Sequence, residues 1–127
     1  MDTKTLFERF ENTQVKFGHT ALEVARLNGL LIDAKSTLAR CKAESDMRIR
    51  AEAKEQGSKV TEDAVEKAVL MVPAVISAEK EYNALSGQLF SAKTEFEIAS
   101  SELSMLRNFV RLVTGGSDEP EMKILLP

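Results

Sequence analysis

Five cations stand close together in the middle of this 127-residue chain: Lys42, Arg48, Arg50, Lys54 and Lys59. Guanidinium and ammonium groups gathered in this way bind phosphate. Arg50 and Lys54 are four residues apart and share one face of a helix. Contacts of this kind to a nucleic-acid backbone are independent of base sequence and weaken steeply with salt. No aromatic residue lies between Phe17 and Tyr82, so the cluster has no platform on which bases could stack. The competing reading is that these cations pair with Glu44, Asp46, Glu52 and Glu55 around them. Surface ion pairs of that type contribute ~0–1 kcal/mol each.

Other chemistry finds no support in the residue types. The chain has one histidine, His19, and one cysteine, Cys41, so neither a metal cluster nor a Cys–His dyad is expected. His19 with Glu23 is a lone pair of ligand types, and a boundary or capping role suits His19 better. Cys41 falls on an apolar stripe and reads as a small packed hydrophobe. Gly115-Gly116 lacks the Lys and Ser/Thr of a phosphate-binding loop. The chain is expected to be no enzyme and to need no cofactor.

The net charge of -3 and pI of 5.3 argue against a general basic nucleic-acid binder. The charge is uneven, however. Residues 42–59 carry five basic and four acidic side chains, whereas residues 61–113 carry five basic and eight acidic. A single cysteine forms no internal disulfide and fits a reducing compartment. The start "MDTKTLFERF" has no apolar run of signal-peptide length, and no stretch approaches the ~20 apolar residues of a membrane span. A soluble cytoplasmic protein is expected.

The elements that position the cations follow from periodicity. From Ala64 a 3-4 spacing of small or apolar residues runs through Ala68, Met71, Val75, Ala78, Tyr82, Leu85, Leu89, Ala92, Phe96, Ala99, Leu103, Leu106 and Val110 to Val113. That is the seam of a coiled coil. A matching stripe reads Val24, Leu27, Leu31, Ala34, Leu38, Cys41, and extends back to Phe17, Phe10 and Leu6 with threonines between. Its next positions are Ser45 and Arg48, which sets Arg48 opposite the small Ala64 and Ala68.

Breaks divide the pattern. Gly18 reads as a stop, and Thr20 with Glu23 as a capping box that restarts the helix. Gly57 reads as a second stop, followed by Thr61 as N-cap with Glu62 and Asp63 in the favourable first turn. Pro73 predicts a kink or short interruption. The spacing therefore predicts an all-α fold: a short helix over 3–17, a first long helix over 20–56, a second over 61–113 kinked at Pro73, and a tail over 114–127. The two long helices form an antiparallel, coiled-coil-like hairpin. Ile98, Met105 and Leu112, with Phe109 beside them, form a second apolar set on the last helix. Two apolar faces on one helix predict oligomerisation through its C-terminal half.

The layout resembles the UvsY family of phage recombination mediators. The likeness covers roughly residues 40–113 and rests on "MRIRAEAK", the turn "EQGSK", the acid-rich helix start "VTEDAVEKAV", the segment "SAEKEYNAL" and a long final helix; "EMK" near the end resembles the ends of some relatives. The resemblance implies a small helical protein that assembles into rings and binds single-stranded DNA. It implies loading of a RecA-like recombinase onto strands covered by a single-strand-binding protein, in the host cytoplasm. The family's basic-x-Arg element falls on Arg48 and Arg50; Lys54 and Lys59 join them by proximity. The acidic balance of this chain departs from that picture and gives protein contacts more weight.

Two other readings stay open. Glu79, Glu81, Glu95, Glu97 and Glu102 suit an interaction module of a phage or mobile element that inhibits a host defence or nucleic-acid enzyme. The seam alone suits a structural coiled-coil subunit.

Overall fold

The computed structural model describes residues 2–115, and among them the chain is all-α. Helix α1 spans Thr3–Glu55, α2 spans Glu62–Leu70 and α3 spans Pro73–Thr114.

Helix α1 starts at a side-chain cap. Asp2 Oδ1 accepts from the Thr5 backbone N–H at 2.7 Å. That hydrogen bond holds the Asp2 carboxyl below the usual aspartate value. The helix then runs through Gly18 without a break, which corrects the division expected between residues 17 and 20. The apolar stripe explains the continuity. Leu6, Phe10, Thr13, Thr20 and Leu27 are buried and keep 3-4 phase across the glycine. Thr20 is therefore no N-cap: its hydroxyl donates to the Phe17 carbonyl inside the helix at 2.9 Å.

Gly57 does end α1. It adopts φ 71°, its N–H donates to Lys54 O, and Ser58 N–H donates to Ala53 O. These two bonds form a Schellman motif, which satisfies carbonyls left free at the helix end. Thr61 caps α2, its hydroxyl accepting from Ala64 N–H at 3.1 Å, with Glu62 and Asp63 in the first turn.

At Met71 and Val72 the return path is interrupted, and Pro73 is the first residue of α3. There the missing N–H is harmless and the fixed φ suits a helix start. The long kinked helix expected over 61–113 is thus two helices. The interruption also shifts the register. Val65 and Val69 are buried, whereas Ala64, Ala68 and Met71, expected in the seam, are exposed. From Val75 onward the expected positions hold: Val75, Ala78, Leu89, Ala92, Ala99, Leu103, Leu106 and Val110 are buried, and Tyr82, Leu85 and Phe96 half-buried. Val113, at the end of the series, is exposed. Thr114 ends α3 and Gly115 follows with φ 71°. The remainder of the tail, with its "EMK", lies outside the described residues.

The chain forms two compact units, to both of which α1 and α3 contribute. Among the described residues, unit 1 takes those up to Ala25 and those from Phe90 on. Its core is Leu6, Phe10, Leu103, Leu106 and Val110, flanked by Phe7 and Phe17. Phe17 meets Phe96 with ring centroids 4.9 Å apart, and Arg9 reaches Glu102 at 3.2 Å. The order of these pairs makes the two segments antiparallel within this unit. Unit 2 is Arg26–Leu89. Its core is Val65, Val69 and Val75, against which Leu38, Cys41, Ile49 and Val72 pack. Cys41 is half-buried there, as a packed hydrophobe.

Candidate nucleic-acid interface

The expected cation cluster lies in unit 2, on the last turns of α1 and the connection to α2. Arg48, Arg50 and Lys54 are on α1, and Lys59 is in the connection.

Arg50 is the best-fixed member. Its Nε donates to Asp46 Oδ1 at 2.7 Å and its Nη2 to Glu62 Oε2 at 2.6 Å. One guanidinium thus joins a carboxylate one turn back on α1 to a carboxylate in the first turn of α2. The hydrogen bonds from Glu62 and then Asp46 hold the Arg50 pKa above its usual value. The hydrogen bond from Arg50, followed by the attraction of its charge, holds the Glu62 carboxyl below the glutamate value.

Arg48 sits differently from expectation. It is exposed, and the inward position one residue on is Ile49, which packs on the Val65–Val69–Val75 core. Ser45, Ile49 and Ala53 line the inner side, four residues apart each time. A straight α-helix has 3.6 residues per turn, so a strict 3.5-residue repeat drifts off the packed side by the end of α1. Arg48 and Arg50, two residues apart, project from opposite flanks of the helix, since successive residues turn by ~100°. The structure brings Arg50 and Lys54 onto one flank and leaves Arg48 on the other.

Most of the carboxylates expected to neutralise the cluster do not do so. Asp46 pairs with Arg50, and Glu44 approaches Arg40 at 3.9 Å. Lys42, Arg48, Lys54 and Lys59 make no ion pair among the described residues. All four are exposed.

Sequence reasoning missed two features. Glu62 in the sequence is a helix-start acid, and the i,i+4 spacing of Asp46 and Arg50 signals their pair but not the bridge to Glu62. The second is a groove of about 620 Å³ beside the clamp, lined by Lys42, Ala43, Asp46, Met47, Glu66, Val69 and Leu70. Met47 and Leu70 are exposed in it.

The expected oligomerisation residues lie in unit 1. Ile98, Met105, Phe109 and Leu112 are all exposed on α3. Met105 and Phe109 border a groove of about 270 Å³ with Leu6, Arg9, Leu106 and Val113. The acidic set does not form one face. Glu79 and Glu81, like Glu95 and Glu97, are two apart and diverge, and Glu102 is held by Arg9. Among the described residues no three His, Cys, Asp or Glu are placed to hold a metal ion, and no helix is long and apolar enough to cross a membrane.

No protein-family model matches the chain, and neither a curated protein nor a solved structure gives a significant match.

Proposed function

We propose that the chain is an oligomeric single-stranded-DNA-binding protein that acts as a recombination mediator in the host cytoplasm. In this role it loads a RecA-like recombinase onto strands covered by a single-strand-binding protein. The observation that carries the reading is the set of exposed cations without acidic partners, Arg48, Lys54 and Lys59, at the α1 end of unit 2. The resemblance of "MRIRAEAK" and the following turn to phage mediators supplies the biological setting. With no aromatic nearby, binding is to the phosphate backbone and shows no base preference. One subunit binds weakly; repetition of the cluster in a homo-oligomeric ring raises affinity through multivalency.

The test is binding to a labelled single-stranded oligonucleotide across a salt series. Arg48→Ala with Arg50→Ala weakens binding while helicity and assembly stay intact. Each phosphate contact removed lowers the log–log salt slope by ~0.7. Unchanged affinity in the double variant removes the assignment.

The groove beside the clamp favours a second reading. Its apolar lining of Ala43, Met47, Val69 and Leu70, edged by Lys42, Asp46 and Glu66, suits a protein partner such as a host defence or nucleic-acid enzyme. Stoichiometric capture of one such enzyme, with no oligonucleotide binding at low salt, selects this reading over the first.

A further inference from the structure

We propose that copies of this chain join head to tail, the outer face of α3 in one copy seating on the outer face of α1 in the next. The inference rests on the reading that the chain self-assembles, and names the surfaces that do it.

In unit 1 each helix carries an apolar face besides its packed seam. On α1 it is Val15, Gly18, Leu22 and Ala25, with Val15 58 % and Leu22 71 % exposed. On α3 it is Ile98, Ser101, Met105, Asn108 and Leu112, with Ile98 57 %, Met105 44 % and Leu112 76 % exposed. Both sets keep 3-4 spacing, and neither contains a charged residue although charged residues make up 29 % of the chain. At ~100° per residue each set lies about 150° around its helix from the seam. The two faces therefore look away from each other on opposite sides of the unit.

This placement disfavours a single two-fold contact. A two-fold pair formed through α3 leaves Val15 and Leu22 in water. A head-to-tail contact covers both faces on every joined copy, and contacts of that kind close into rings or run on as filaments. The shapes agree. Both faces carry larger side chains at seven-residue intervals; on α1 the bare backbone of Gly18 lies between Val15 and Leu22, and the small Ala25 follows. A Cβ built on Gly18 meets nothing within 4 Å, so packing inside the chain gives no reason for glycine there. A bare backbone in mid-helix is otherwise unfavourable, and it admits close approach by a neighbour. With Phe109, also half-exposed, the exposed fractions of these side chains amount to on the order of 650 Å², all of it buried only if the neighbour covers both faces completely. At an apolar share of ~57 % that corresponds to roughly 1,100 Å² of interface, near the low end of the specific class.

The experiment is complementation between two exposed-face variants, Leu22→Glu and Met105→Glu. Circular dichroism first establishes that both keep the parent's helicity; Val15→Lys and Ile98→Lys form a second pair should either fail to fold. Each variant alone loses assembly, its apparent dissociation constant rising at least tenfold. Mixed one to one, the Leu22→Glu chain still has its α3 face and the Met105→Glu chain its α1 face. Light scattering then reads a dimer at twice the 14.0 kDa chain mass. If Leu22→Glu assembles like the parent, or if the mixture stays monomeric, the head-to-tail contact is overturned while self-assembly stands. A monomeric parent at micromolar concentration overturns both.

Discussion

Arg50 and Glu62 meet at 2.6 Å across the connection between α1 and α2, and the same guanidinium holds Asp46 at 2.7 Å. The cation chosen from its spacing as a phosphate ligand is thus also the clamp that holds two helices. A phosphate bound there would compete with Glu62 for one group.

Removing the competitor makes Arg50 available. Glu62→Gln is expected to tighten oligonucleotide binding several-fold at low salt and to steepen its salt dependence. Arg50→Ala on its own weakens binding less than Arg48→Ala with Lys54→Ala. Fluorescence anisotropy on one labelled strand checks both.

The clamp also sets a pH dependence. The Glu62 carboxyl is held below its ordinary 4.5, so its contribution to stability is complete above that pH and disappears as pH falls through the lowered value. Arg50 keeps its proton throughout this range. Melting temperatures of the parent and Glu62→Gln should differ at pH 7 and converge near pH 2; a constant difference would count against the clamp.

The register in α2 makes a sharp comparison. Val65 is fully buried and Ala64 beside it is exposed. Val65→Ala removes two buried carbons and should cost roughly 2 kcal/mol. Ala64→Ser should stay within about 0.5 kcal/mol of the parent. Urea denaturation separates the two.

Gly18, inside α1, and Gly57, just past its C-terminal end, respond in opposite directions. Gly18 is inside a helix, so Gly18→Ala should stabilise the chain by ~1 kcal/mol. Gly57 has φ 71°, and Gly57→Ala should destabilise it by a similar amount. Thermal melts in a Met105→Glu background keep assembly from masking the first effect.

Arg107 is half-buried, and its Nε is buried without a hydrogen-bond partner among the described residues. Its aliphatic stem packs while that donor stays unsatisfied. Arg107→Met keeps the stem and removes the donor, so the denaturation midpoint should hold or rise. A loss above about 1 kcal/mol would mean that the guanidinium itself supports the fold.

Much of this architecture is legible in residue order, because burial leaves a period. The stripe from Leu6 to Cys41 and the seam from Val75 to Val110 follow from spacing alone. Thr61 and Gly57 follow from cap chemistry. The departures share a cause: a longer-range term overrides the local signal. Gly18 with Thr20 has the letters of a stop and restart, but the packed stripe passes through both. Ala64 and Ala68 continue the C-terminal period backwards, but the break at Met71–Val72 resets the phase, and no pattern spans a break. A 3.5-residue repeat points Arg48 inward, but a straight helix does not keep that repeat. The Glu62 partnership depends on how the Gln56–Thr61 connection folds, which composition does not describe.

The partners in the two units differ greatly in distance along the chain. Arg50 and Glu62 are 12 residues apart, whereas Arg9 and Glu102 are 93 apart. Each doubling of a closed loop adds about 0.6 kcal/mol of entropy loss, so about three doublings make the second contact harder to form first by roughly 2 kcal/mol. Folding should begin where α1 meets α2 and zip outward, with φ-values high at Val65 and near zero at Leu106. The outer faces of unit 1 would be completed last. Assembly through them would then follow folding, and nascent chains would be spared premature association.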